Sequence, residues 1–399
     1  MSRIVGQGTE GSFVLQSQAA ATNKGFGHVS KNWYDQTLSY EEGKEQIRRD
    51  KAVTEDLAVS WSKMQPRVSD KEEFVIEYED GRQFKPTQHA MSQIGIKLGV
   101  GTWLLNNLRE PVLNYKKTEK IYDRDEGDAE TIVKIIANAS RRLDQQKDFL
   151  FRTRQDGTLR AVLTDRYAII DNEWFVDTLS EIIPGGRLSH WRGDGDTIFG
   201  NILIPDTIRE ESDSDYGGML SIGNSEIGER RVSALPSVFR AICQNGCIWS
   251  QTFGKSLNKV HKGKIDLDSF KMLLKSELNE QIPLLPQGID KLIGTRQMAW
   301  DGASIKPLFA QIAKDNRMTR KQTTSLLSAY SEEVVSPNSL FGVINSVTRA
   351  GQTFDNSEWV RFDQIGGELV NLDRSGWDRL CGRANHLSVK QVEESFLVE

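Results

Sequence analysis

The sequence predicts an α+β protein: a central antiparallel sheet of hairpins with packed helices, followed by a mainly helical C-terminal region. Three observations lead there. Asp80-Gly81 and Asp156-Gly157 each separate two short apolar-rich runs, a hairpin signal because glycine supplies the positive φ of a tight turn. Several segments between and after these hairpins repeat apolar residues at helical spacing. From His261 onward that helical spacing dominates.

Composition narrows the function classes. The 399 residues carry 56 acids against 51 bases, a formal net charge of -5, which excludes a broadly basic nucleic-acid coat while leaving room for a local basic groove. No apolar run approaches the ~20 residues of a membrane helix. The start, Met1 to Gly8, lacks the apolar stretch of a secretory signal. Three cysteines argue against a disulfide framework, so a reducing cytoplasm is expected.

In chain order, residues 1–30 are rich in Gly, Ser, Gln and Ala and read as a polar arm. Opposite charges at helical spacing predict a solvated helix from Tyr40 to Lys63. A hairpin follows over Phe74–Phe84, then a helix over Thr87–Leu98 with Ala90, Met91, Ile94 and Leu98 on one face. Asp128 can cap a helix that buries Ile132, Ile136, Ala139 and Leu143. The second hairpin spans Phe149–Arg154 and Leu159–Leu163, with a strand-like Tyr167–Ile170 after it. Asn172–Ile183 reads as a helix capped near Asn172 and stopped by Pro184. Strands are expected over Thr197–Ile204 and Gly218–Ile222, and a helix with an Asn245-Gly246 turn over Ser237–Trp249. Beyond 262 come helices capped by Asp266 or Asp268, by the Thr319–Gln322 capping box, and over Pro337–Ala350. The expected units are therefore 1–62 (arm and charged helix), 63–262 (α+β core) and 263–399 (helical region).

Catalytic signatures are missing: no phosphate-loop motif, no Gly-x-Ser-x-Gly and no His-Glu-x-x-His. Cys243 and Cys247 lack further ligands at zinc spacing, and small buried cysteines suffice to explain them. Asp194/Asp196 and Asp213/Asp215 sit in Gly/Ser-rich stretches where aspartate makes turns. Neither metal nor cofactor is expected. A basic and aromatic set stands out instead. Arg152 and Arg154 alternate along one strand and share a face, with Arg160 across the turn. Arg166 with Tyr167, Arg187, His190, Trp191 and Arg192, and Arg230 with Arg231 follow. Guanidinium groups beside flat rings suit single-stranded nucleic acid; the competing reading is a solvated strand face with surface ion pairs.

Three strings are more specific. They are Thr87–Val100; Phe151-Arg152-Thr153 with Leu159–Tyr167 and Ile170-Asp171-Asn172; and Gly223-Asn224-Ser225-Glu226-Ile227-Gly228 leading to Phe239–Gly246. Together they resemble the phage- and plasmid-encoded family of domain of unknown function 932, with weaker echoes at His261-Lys262-Gly263 and Asn345–Thr348. The resemblance implies a mobile-element protein of the bacterial cytoplasm. The arrangement of hairpins and basic strand is more distantly similar to phage single-strand annealing proteins of the Redβ and RecT type. Residue by residue, Asn224–Gly228 favours a reversal with positive φ at Gly228.

The expected function is thus non-enzymatic: binding of single-stranded DNA in annealing or recombination, by a homo-oligomer. Arg152, Arg154, Arg160, Arg166, Arg187, Arg192, Arg230 and Arg231 would meet phosphates, and Tyr167 and Trp191 would stack on bases. The alternative is a phage structural or interaction protein that assembles without nucleic acid, with Trp33, Tyr34 and Trp103 as interface anchors.

Overall fold

The computed structural model describes residues 34, 37–51, 53–109, 128–212, 214–241, 247–250, 257–259, 261, 263, 265–333 and 335–397. The expected polar arm over 1–30 lies outside these residues. The architecture is α+β, with antiparallel pairing predominant and a helical C-terminal region, and its strands are divided between two six-stranded sheets.

The first sheet contains β1 (Thr54–Ser60), β2 (Met64–Val68), β3 (Phe74–Tyr78), β4 (Gln83–Pro86), β5 (Asp148–Arg154) and β6 (Thr158–Thr164), in the order β1-β5-β6-β4-β3-β2. Its two end strands, β1 and β2, are joined by only the 3-10 turn Trp61–Lys63. Three residues reach roughly 10 Å at most, so the ends of the sheet meet and it curls into a barrel. Thr54–Val68 then acts as one bent strand, paired with β5 through its first half and with β3 through its second. Counted that way, the barrel has five strands, and the third and fifth of them, β4 and β6, run parallel. Helices α2 (Gln88–Leu98), α3 (Thr102–Arg109) and α4 (Ala129–Ser140) separate its third and fourth strands. This is the connectivity of a Greek-key barrel of the OB type.

Local chemistry explains these elements. Gly81 (φ 90°) and Gly157 (φ 85°) turn the two hairpins as their Asp-Gly signals require. Thr87 accepts a hydrogen bond from the Ala90 amide at the start of α2, and Asp128 accepts one from Thr131 at the start of α4. Inside the barrel, Trp61 packs against Phe149 and Phe151 with ring centroids 6.0 and 5.9 Å away. Met91 and Ile94 of α2 and Ile132 and Ile136 of α4 close its interior. Each such side chain contributes about 1.5–3 kcal/mol on full burial.

The second sheet is an open meander of β7 (Arg187–Gly193), β8 (Thr197–Glu210), β9 (Asp215–Ser225), β10 (Val232–Ala241) and β11 (Cys247–Ser250), with β12 (Leu257–Lys259) on the start of β10. One face buries Leu188, Trp191, Ile202, Leu220 and Val238 against α1 (Tyr40–Lys51), α5 (Asn172–Ile182), α6 (Leu267–Gln281) and the helices after it. On the other, Phe199, Leu203, Met219 and Phe239 meet Trp359 of α11 (Asn356–Val370). The largest core runs from Ile47 to Phe396, so sheet and C-terminal helices share it across position 262.

Three local expectations need correction. The charged helix ends at Lys51, and Thr54–Ser60 pairs as a strand with β5. Ser237–Ala241 is the end of β10 rather than a helix, with 242–246 outside the described residues and Cys247–Ser250 a strand. Here Val238 and Phe239 enter cores on opposite faces, and two-sided burial erases the alternation that marks a strand. Tyr167–Ile170 is irregular, held by side-chain contacts instead of a ladder.

Candidate functional site

Two groups of arginines divide the expected site. The first lies where the barrel meets the second sheet, and the three strings behind the family resemblance converge on it. The end of β9 and the turn 226–228 after it enter between β5, β6 and α2, with Gly228 at φ 81° as its sequence anticipates. Gln93 of α2 donates to the Ile227 carbonyl (2.8 Å) and accepts from the Val162 amide (2.7 Å), tying turn to barrel. Arg152 grips Asp56, its cross-strand partner, through Nε and Nη2 at 2.8 and 2.9 Å, and donates to the Glu226 carbonyl at 2.6 Å. Arg160 lies 2.5 Å from Asp196 and shares the Glu226 carboxylate with Arg152, each at 3.5 Å. Arg154 takes the second oxygen of Asp196 at 3.0 Å.

All three arginines therefore do converge, but on carboxylates instead of solvent. Arg152 is 3% exposed and Arg160 0%. The expected basic strand face is corrected by this burial: a guanidinium enclosed by carboxylates has no free charge to offer a phosphate. Burial pushes the Glu226 carboxyl up, against the pull of Arg152 and of the Asn172 amide that donates to it at 2.9 Å. Asp171, expected beside the helix cap, occupies the cap position itself without a side-chain cap bond and pairs with Lys51 at 2.7 Å. Tyr167 is half-buried, stacked on His261 at 4.8 Å and donating to the Ser225 carbonyl at 2.7 Å. Trp191, at 2% exposure, is a core residue, so its expected stacking surface is enclosed. Arg166 and Arg231 are exposed and stand apart from the junction's ion pairs.

The second group lies on the Trp359 face of the second sheet. Within β7 and β8, Ser189 faces Asn201 and Arg192 faces Phe199, so His190 and Trp191 together oppose Gly200. That bulge sends Trp191 into the main core while His190 and Arg192 emerge on the opposite face. His190 takes a left-handed backbone (φ 49°), and a Cβ at Gly200 would lie 3.1 Å from Trp191 Cα, so both residues are fitted to the bulge. His190 meets Trp359 edge-on at 5.1 Å, Trp359 meets Phe199 at 5.8 Å, and the Arg230 guanidinium stands 5.4 Å over Phe199. Burial, with Arg192 and Arg349 adding, pushes the His190 imidazole down to about 4. Arg192 is itself lowered by burial and by the charge of Arg230. Arg187, farther along β7, donates through Nε to Thr37 at 2.7 Å and lies over Tyr34 at 5.7 Å, which leaves Tyr34 half-buried instead of an exposed anchor.

Sequence reasoning passed over Asp56, Phe199, Arg349 and Trp359, which have no local signature; only the bulge and α11 bring them into place. Glu226 was visible inside its string but read as part of a turn. Asp194 is such a turn residue, accepting from the Asp196 and Thr197 amides at 2.7 Å each. Cys243, Asp213 and the side chain of Cys247 lie outside the described residues. Among the described residues no cluster of three or more potential metal ligands occurs, and no helix is long and apolar enough to cross a membrane. Comparison with protein-family models, with curated proteins and with solved structures returns no match.

Proposed function

We propose that the protein binds single-stranded DNA and assists its annealing or recombination without catalysing a covalent reaction. The observation that carries this reading is the OB-type barrel with its β2–β3–β4 outer surface open, since barrels of this connectivity bind oligonucleotides across the corresponding strands. It is an argument from fold, so the side chains on that surface matter. Gln65, Arg67, Gln83 and Lys85 are exposed there, and Arg82 stands 5.5 Å over the Tyr78 ring. These cations are paired at the surface, Lys85 with Glu73 at 2.5 Å and Arg67 with Glu77 at 3.6 Å. Exposed pairs of this kind are worth about 0–1 kcal/mol, little enough for a phosphate to displace. The opposite barrel surface, β5–β6, is closed by the junction. The test is fluorescence anisotropy of a labelled oligodeoxythymidine at several salt concentrations. Micromolar or tighter binding that weakens steeply with salt is expected; flat anisotropy at low salt overturns the reading.

A second reading, a protein-interaction role without nucleic acid, is favoured by one observation. Trp103 of α3 is 77% exposed and Ile96 of α2 72%. Under it, Trp103→Ala would change the oligomeric state measured by light scattering while the wild type leaves DNA unbound.

A further inference from the structure

Helices α8 (Lys306–Asp315) and α9 (Arg320–Glu332) are joined by only the four residues 316–319. The Met318 amide donates to the Ala313 carbonyl at 2.9 Å, which closes α8, and the Met318 side chain packs against the main core. Thr319 then caps α9, with Gln322 completing a capping box. Arg317 holds a left-handed backbone (φ 50°) within this turn, where glycine would sit without strain. The position therefore keeps a charged side chain at a conformational cost, and such outliers gather at functional sites. Thr323, Leu326 and Ala329 are the buried side of α9, while Arg320, Lys321 and Ser328 are exposed on its outward side. A chain of net charge -5 thus gathers four cations, Lys314, Arg317, Arg320 and Lys321, over residues 314–321. The one carboxylate in that stretch, Asp315, is taken by Arg383 at 2.9 Å. All four cations are exposed, and none has an ion-pair partner among the described residues; Lys321 stands 5.9 Å over the Phe354 ring.

We infer that α8, the turn and α9 form a helix-turn-helix for double-stranded DNA, with the outward side of α9 seated in the major groove and Lys314 and Arg317 on the phosphates beside it. Two helices joined by a tight turn of this length are the framework of such a unit, and the start of its second helix reaches base edges. Charge complementarity selects the occupant. Arginine and lysine donate to guanine and phosphate oxygens, and a serine hydroxyl can donate or accept at a base edge. The end of the chain borders this face, the Leu397 amide donating to the Thr324 hydroxyl at 3.0 Å, so base contacts fall to Arg320, Lys321 and Ser328. The inference goes beyond single-strand binding by the barrel and uses none of the barrel's residues.

The experiment compares the full chain with the double variant Arg320→Gln, Lys321→Gln by anisotropy of a labelled mixed-sequence DNA duplex at several salt concentrations. Labelled oligodeoxythymidine is measured alongside, and unlabelled duplex RNA serves as competitor. The expected result is salt-sensitive duplex binding by the wild type, about tenfold or more weaker in the variant, with oligodeoxythymidine affinity unchanged. Duplex RNA should compete poorly, because its deep, narrow major groove does not admit a helix. Duplex DNA binding that the variant retains in full overturns the assignment of α9, as does a wild type that ignores duplex DNA at low salt; oligodeoxythymidine then decides the barrel reading separately. A wild type that binds the duplex but not oligodeoxythymidine, with the variant weakened, keeps this inference and ends the barrel reading. Duplex RNA competing as well as DNA, or both forms of DNA weakened equally by the variant, overturns the groove assignment, since the surface would then follow phosphates alone. Thermal unfolding checks that the variant folds. Should it not, Ser328→Glu is read instead; it sets a like charge against the duplex and is expected to weaken it severalfold.

Discussion

The arginines of the barrel–sheet junction and those of the β7 bulge are the same residue type in similar sequence surroundings, but they have opposite fates. At the junction, Arg152, Arg154 and Arg160 are matched by Asp56, Asp196 and Glu226. At the bulge, Arg230 stands over the Phe199 ring, and Arg192, across the strand pair from Phe199, is lowered by burial and by the charge of Arg230. The difference teaches that a cation's role is set by what the opposite strand and the incoming turn bring to it. At the junction those partners are carboxylates, which makes a clamp; at the bulge aromatic rings lie against the cations.

The largest expected effect probes the clamp. Arg160→Met should leave the Glu226 carboxylate buried with one partner fewer and cost about 3–5 kcal/mol in urea unfolding. Adding Glu226→Gln should recover part of that loss, because the two residues share one network. A loss under about 1 kcal/mol would erase the distinction between the clusters.

The next effect belongs to the bulge and depends on pH. The folded His190 imidazole sits near 4 and its ordinary value is 6.5, so between those values the unfolded chain binds the additional proton. Stability is therefore whole above pH 6.5 and falls as pH drops toward 4, by on the order of 3 kcal/mol from this group. His190→Asn, which tolerates the left-handed backbone, should flatten that acid slope. It should not abolish it, since burial lowers His261 too, with the Ala168 carbonyl opposing. An unchanged slope in denaturant titrations at stepped pH would remove His190 from the account.

The smallest effect on stability sharpens the contrast with the open barrel surface. Arg67→Ala with Lys85→Ala should change unfolding by no more than about 0.5 kcal/mol per site. If the barrel carries DNA, the same double variant should lower the slope of log affinity against log salt by about 2. Unchanged oligonucleotide affinity and slope would show that the strand runs elsewhere.

Much of the fold was legible in the sequence because its signals are local. Asp80-Gly81, Asp156-Gly157, the caps at Thr87, Asp128 and Asp266, and the capping box at Thr319 all act within a few residues. What was not legible depended on distant partners. Thr54–Ser60 looks like the end of a charged helix until β5 arrives to pair with it. Val238 and Phe239 look helical because both are buried, each on its own side of a sheet. The site followed the same rule. That Arg152 and Arg154 share a side was readable from strand alternation, while the carboxylates waiting on that side come from residues 42 to 96 positions away. Trp191 looked like a stacking surface, and a single extra residue in β7 turned it inward.

The bent strand Thr54–Val68 has a consequence for association. Its two halves are the terminal strands of the first sheet, β1 paired with β5 and β2 with β3, so each has one side outside the ladder, and the turn at Trp61–Lys63 breaks that border into runs of only seven and five residues. At the border of the second sheet, β7 is partly blocked where the Leu38 amide donates to the Leu188 carbonyl at 2.9 Å and the Leu188 amide returns the bond at 2.7 Å. Barrel borders so short and bent, one of them carrying Pro66, are poor templates for a second copy of the chain, which is better met by side chains. Its arrival would be governed by surface chemistry that substitution can tune, and protected from the runaway strand addition that leads to fibrils.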